Sequence, residues 1–254
     1  MPKYRKKIWS GDVYEVEEFY CPRSIGKKYE RGMNENLTSE EQEKRNLKLA
    51  RKKMTRLVNA NFGGEDYFVL LTFSKEVTSE EAKKDLGNFW KRLGRWKKKR
   101  GEELKYIWVL EEQGKIHFHI IMNEIKNMNM KQAWEVLQEK WGNGLVLIKK
   151  LKKNQPDMKL ANYLTKEKKQ KGACRWKASR NLKQPKIKIE QLGEKPRKPY
   201  VPKGYDLVWY TEDFYVEIGW VRFLKAVKKG GCDFGADNSG TSGTNYDTYK
   251  KRIA

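Results

Sequence analysis

The chain has 254 residues, with 56 Lys and Arg against 33 Asp and Glu and a formal net charge of +23. Its 38% hydrophobic content can build a core and excludes wholesale disorder, while no apolar run approaches the length of a membrane-spanning helix. Cys21, Cys174 and Cys232 are too few and too far apart for a disulfide framework and fit a cytoplasmic protein.

Residues 1–37 mix basic, aromatic and turn residues without sustained periodicity, and read as an arm with one short strand. No apolar stretch follows the basic start, so it is not a secretory signal. Thr38-Ser-Glu-Glu41 is a capping box, and Leu47, Ala50, Met54, Leu57 and Val58 follow at helical spacing. Tyr67–Phe73 reads as a buried strand. A second capping box, Thr78-Ser-Glu-Glu81, opens a helix striped by Ala82, Leu86, Phe89, Trp90 and Leu93. Strands over Tyr106–Glu111 and Ile116–Met122 flank a short turn at Gly114. A helix over Met130–Trp141, a strand over Leu145–Leu151 and a helix over Asp157–Lys169 complete the region.

This order predicts an α+β protein with a ferredoxin- or RRM-like βαββαβ antiparallel sheet, its helices on one face and the other open to ligand. The expected organisation is an arm over 1–37, the main domain with its leading helix over 38–182, an extension over 183–229 and a flexible tail over 230–254. Within the extension, Val208–Lys225 reads as a strand and a short helix.

A charge of +23 calls for a polyanionic partner, nucleic acid first and an anionic membrane surface second. Chemistry is indicated by the only two histidines, His117 and His119. Residues two apart on a strand share a face, so both imidazoles emerge side by side and make half a metal site. Glu111 is the favoured third donor if it stands opposite His117 across the turn; a one-residue shift of register substitutes Glu112. Two imidazoles and a carboxylate suit Mg²⁺ or Mn²⁺ acting on a phosphoryl oxygen. Downstream, Tyr163 and Lys166 are neighbours on one helix face, and a phenol becomes a nucleophile where its phenolate is favoured. The plainer readings are two strand histidines on a wet sheet face and a tyrosine packed at a helix flank.

Leu70-Leu-Thr-Phe-Ser74, Glu111 to Gly114 leading into His117-Phe-His119, and Tyr163-Leu-Thr-Lys166 together resemble the ordered motifs of HUH-endonuclease replication initiators. The likeness is to the rolling-circle replication proteins of small single-stranded DNA phages and related plasmids, and spans about residues 45–182. It implies that His117, His119 and Glu111 hold the cation. Tyr163 would attack a phosphodiester of a single-stranded origin, leaving a 5′-phosphotyrosine and a free 3′-OH, with Lys166 positioning the phosphate. Some relatives carry two tyrosines on this helix; here Tyr163 stands alone, so a two-tyrosine cycle on it is not expected.

Arg92, Arg95, Lys97, Lys98, Lys149, Lys150 and Lys169 are candidate phosphate contacts, and Trp176 is a candidate base-stacking ring. Each basic run reads equally as a solvated face, and each tryptophan as core. No P-loop motif is present, so a separate host helicase and polymerase are the expected partners, in the host cytoplasm if the host is bacterial. The competing readings are an inert binder of single strands and a single-tyrosine transposase.

Overall fold

The computed structural model describes residues 2–21, 40–151, 176–194, 196–216 and 219–230. They divide between two compact units, Lys44–Lys183 and a second formed by Met1–Glu43 with Gln184–Ala254. The protein is α+β, with two antiparallel sheets and three helices among the described residues. None of these helices is long and apolar enough to cross a membrane.

The Lys44–Lys183 unit begins within α1 (Glu40–Asn61) and continues through β3 (Tyr67–Thr72), α2 (Ser79–Lys99), β4 (Tyr106–Glu111), β5 (His117–Met122), α3 (Met130–Trp141), β6 (Val146–Lys150) and β7 (Lys177–Ala178). The sheet order is β6-β3-β5-β4-β7, every neighbouring pair antiparallel. Strand β7, a short fifth member beside β4, was not anticipated. The expected helix over 157–169 lies outside the described residues, as do Thr38 and the tail beyond 230.

Period-two alternation sorts the strand residues into two faces. Val69, Leu71, Leu110, Phe118, Ile120 and Val146 form one core with Leu86, Phe89 and Leu93 of α2 and Leu137 and Trp141 of α3. Each fully buried Leu or Phe there contributes roughly 1.5–3 kcal/mol. The N-terminus of α2 is held by the expected box: Thr78 Oγ1 accepts from the Glu81 amide, and the Glu81 carboxylate accepts from the Thr78 amide. Helix α3 is capped in the same way by Asn129 and Gln132.

The other face is not left open. Met54, Leu57 and Val58, one stripe of α1, pack against Ile107, Val109 and Ile121. Helices therefore lie on both faces, because the leading helix carries an apolar stripe that only this side of the sheet can bury. Gly144 lets β6 approach β3: a Cβ there would meet the Thr72 carbonyl oxygen at 2.3 Å.

The residues flanking this unit differ most from expectation. The first 37 residues hold two paired strands, β1 (Lys3–Ser10) and β2 (Val13–Tyr20), rather than an arm with one. The extension holds β8 (Lys186–Leu192), β9 (Tyr205–Tyr215) and β10 (Gly219–Lys228), so the helix expected within 208–225 is strand. These five strands form one antiparallel sheet, β8-β1-β2-β10-β9. Across it runs a row of alternating charge, Glu190, Arg5, Glu18, Arg222 and Glu212. Arg5 lies 3.7 Å from Glu190 and 2.7 Å from Glu18; Arg222 lies 3.4 Å from Glu18 and 2.9 Å from Glu212. The Glu18 side chain is fully buried and also meets Lys3 at 3.0 Å. Removing one partner from such a buried pair costs roughly 3–5 kcal/mol. Strands this rich in charge have no clean hydrophobic alternation, which is why residues 1–37 looked irregular.

Candidate metal centre

The β4–β5 register ends with Glu111 directly opposite His117, and two residue pairs earlier Val109 faces His119. Gly114, at φ +77°, makes the connecting turn in a backbone region that favours glycine. Glu111, His117 and His119 thus share one face. Oε2 of Glu111 lies 2.9 Å from Nε2 of His119 and 3.5 Å from Nε2 of His117, and the two Nε2 atoms are 3.1 Å apart. Three lone-pair atoms this close repel one another unless a proton or cation is shared among them. The donor set, two imidazoles and a carboxylate, fits a divalent cation.

Two neighbours fix the rings. Nδ1–H of His117 donates to the Lys115 carbonyl at 2.8 Å, which leaves Nε2 as the lone-pair nitrogen facing the cluster. Phe68 on β3 stacks on His119, with centroids 5.8 Å apart and planes inclined by 26°. His119 is 4% exposed, whereas Glu111 and His117 are partly open to solvent. Glu112 turns elsewhere and accepts from the Ser79 hydroxyl at 2.5 Å.

Thr72, inside the Leu-Thr-Phe motif, is engaged structurally. Its amide donates to the Leu145 carbonyl at 3.0 Å, and its own carbonyl accepts from the Trp141 indole at 2.8 Å. This residue ties β3 to α3 and to the start of β6.

Residues 66–168 match the family Replication-associated protein ORF2/G2P. No curated protein and no solved structure matches the chain. The family match covers less than half of the chain but encloses β3 through β6, the Glu111–His117–His119 cluster, and Tyr163 with Lys166. It associates this unit with replication. Tyr163, Lys166 and Lys169 lie outside the described residues.

The candidate phosphate contacts within the matched region do not form one track. Helix α2 packs on the sheet face opposite the histidines, so Arg92, Arg95, Lys97 and Lys98 are not brought to the cluster. Arg92 donates to the carbonyls of Lys140 and Trp141, closing the last turn of α3. Lys97 is fully buried; its ammonium donates to the Glu124 carbonyl at 2.6 Å and sits 3.5 Å from Glu102. Burial pushes its pKa down, and Glu102 opposes that shift. Lys97 is thus an internal peg, and sequence alone could not separate it from its exposed neighbour Lys98. Arg95 is exposed and bonds the Lys91 carbonyl of its own helix.

Lys149 and Lys150 are both exposed, on alternate faces of β6. Lys150 pairs with Glu65. Lys149 is level with Phe68 and so shares the face of the histidines. Trp176 is half-buried, packing against the α1 cluster, and the Lys53 ammonium lies 5.9 Å from its ring centroid. Phe68 and the Lys115 carbonyl were missed. The alternation in β3 was visible, but only the strand order says that β3 lies beside β5.

Proposed function

We propose that this chain is a replication initiator that nicks single-stranded DNA at an origin and later rejoins strands. The observation that carries the reading is the convergence of Glu111, His117 and His119 on one sheet face, within a stretch matched by a replication family and upstream of Tyr163-x-x-Lys166. The order β6-β3-β5-β4 is that of the split βαβ plan, and supports the resemblance to HUH endonucleases.

In this reading Glu111, His117 and His119 hold Mg²⁺ or Mn²⁺, which when bound polarises a phosphoryl oxygen. The Tyr163 hydroxyl gives up its proton and attacks the phosphorus, forming the tyrosyl ester as the bond to the 3′ oxygen breaks. The 3′ oxygen takes up a proton and leaves as the primer hydroxyl. Lys166 offsets the phosphate charge and favours the phenolate. Rejoining is the reverse attack by a 3′-OH. Stacking by Phe68 and the Lys115 hydrogen bond hold the imidazoles in place, and Lys149 adds positive charge on the same face. Unwinding and synthesis fall to a separate helicase and polymerase.

The test is to incubate the full chain with a randomised single-stranded oligonucleotide library and Mg²⁺ or Mn²⁺, then resolve covalent adducts on a denaturing gel. The expected result is a metal-dependent adduct whose proteolytic fragment carries a 5′-phosphonucleotide on Tyr163. An adduct that persists in chelator, or maps to another residue, overturns the assignment. Binding without any adduct favours the inert single-strand binder.

A further inference from the structure

The flanking sheet carries a feature that the nicking chemistry does not use. Next to the charged row, toward the β9–β10 turn, the same face presents Lys3, Tyr20, Trp220 and Phe214. Lys3 pairs with Tyr20 and Trp220 with Phe214, and continuing the β2–β10 register beyond Phe223 and Glu17 brings Tyr20 level with Trp220. The Lys3 ammonium donates to the Trp220 carbonyl and lies 5.4 Å from the Tyr20 ring centroid. Phe214 and Trp220 contact each other edge to face, with centroids 5.1 Å apart, yet remain 59% and 45% exposed.

Two large rings held in water by an ordered sheet do not serve the core of that sheet, whose buried cluster is Tyr14, Val16, Leu224 and Ala226. The carboxylates beside them are already matched: Glu18 by Lys3, Arg5 and Arg222, and Glu212 by Arg222 and Lys198. They therefore do little to repel a phosphate. Arg197 and Lys198 are exposed on the segment that reaches this row, where the Arg197 carbonyl accepts from Arg5. Exposed rings beside cations, with the local carboxylates neutralised, form a surface that takes unpaired bases by stacking and the backbone by charge.

We propose that the β9–β10 end of this sheet is a single-stranded DNA contact surface, with Phe214 and Trp220 stacking on bases and Arg197 meeting phosphates. The choice of DNA as the polyanion rests on the replication reading above. The test reads binding in chelator, so it is independent of nicking. Fluorescence anisotropy of the full chain is measured with labelled oligo-dT and with a strand of the same length carrying abasic spacers. Phe214→Ala combined with Trp220→Ala should weaken oligo-dT binding about tenfold or more, while abasic binding changes less than about twofold. Phe214→Tyr with Trp220→Phe should keep the wild-type affinity. Unchanged oligo-dT affinity in the alanine variant overturns the proposal. Equal losses on both strands also overturn it, because stacking requires bases. A change of oligomeric state with DNA affinity intact would assign the rings to a protein contact instead.

Discussion

Phe68 stacks on His119 at 5.8 Å between ring centroids, and the two rings come from neighbouring strands, β3 and β5. Groups that hold a metal ligand in place typically affect metal affinity or activity by about 10–100-fold when removed. Phe68→Leu keeps apolar bulk but loses the planar face. We expect it to weaken Mn²⁺ binding, measured calorimetrically, by roughly tenfold, with little change in Tm. Wild-type Mn²⁺ affinity in this variant would show that His119 is fixed without the ring.

Glu111 and Glu112 are adjacent in sequence but diverge in space: one meets the histidines and the other meets Ser79. Glu111→Gln should abolish measurable Mn²⁺ binding and adduct formation, since it removes the one carboxylate that the cluster has among the described residues. Glu112→Gln should leave both within about twofold, because an exposed hydrogen bond contributes only about 0.5–1.5 kcal/mol to stability. Equal losses in the two variants would point to a turn that rearranges when the cation binds.

The main unit was legible because its local signals agree. Capping residues, helical stripes and strand alternation give the same boundaries, and the histidine spacing survives any error in tertiary placement. Lys97 was misread because a basic run at a helix end looks solvated, and its burial depends on the 124 loop folding over it. The second sheet was hidden for a different reason. Its strands lie far apart in sequence and bury arginine and glutamate on the same face as apolar residues, so no single segment shows a core-facing pattern. Only the pairing of Arg5 with both Glu18 and Glu190 explains why charge occurs at those positions.

Glu212 provides a pH-dependent test of that charged row. Burial would raise its pKa, but hydrogen bonds from Lys198, Arg222 and Tyr210 outweigh it and hold the carboxyl below the ordinary value of 4.5. A carboxyl whose pKa is lowered by folding adds stability that is fully present above the unfolded value and lost as pH falls through the folded one. The stability gap between wild type and Glu212→Gln should therefore be widest near neutrality and close below about pH 4.5, where the unfolded carboxyl begins to protonate. Denaturant unfolding at several pH values measures this. A gap that stays constant with pH would mean that the carboxylate charge contributes nothing there.

The sheet order β8-β1-β2-β10-β9 makes β1 and β2 the bridge between strands that lie beyond residue 183. Deleting residues 1–21 would leave β8 without its only strand neighbour among the described residues and expose the β10 edge that pairs with β2. An exposed edge of unpaired amides and carbonyls invites aggregation, and Glu18 would no longer match Arg222. We expect amides of β8, β9 and β10 to lose hydrogen-exchange protection in this truncation, while β3, β4 and β5 retain theirs. Those three strands obtain their ladders and core from within Lys44–Lys183. Protection that persists in β8 would show that it finds another partner, and loss across β3–β5 would show that the two units unfold as one.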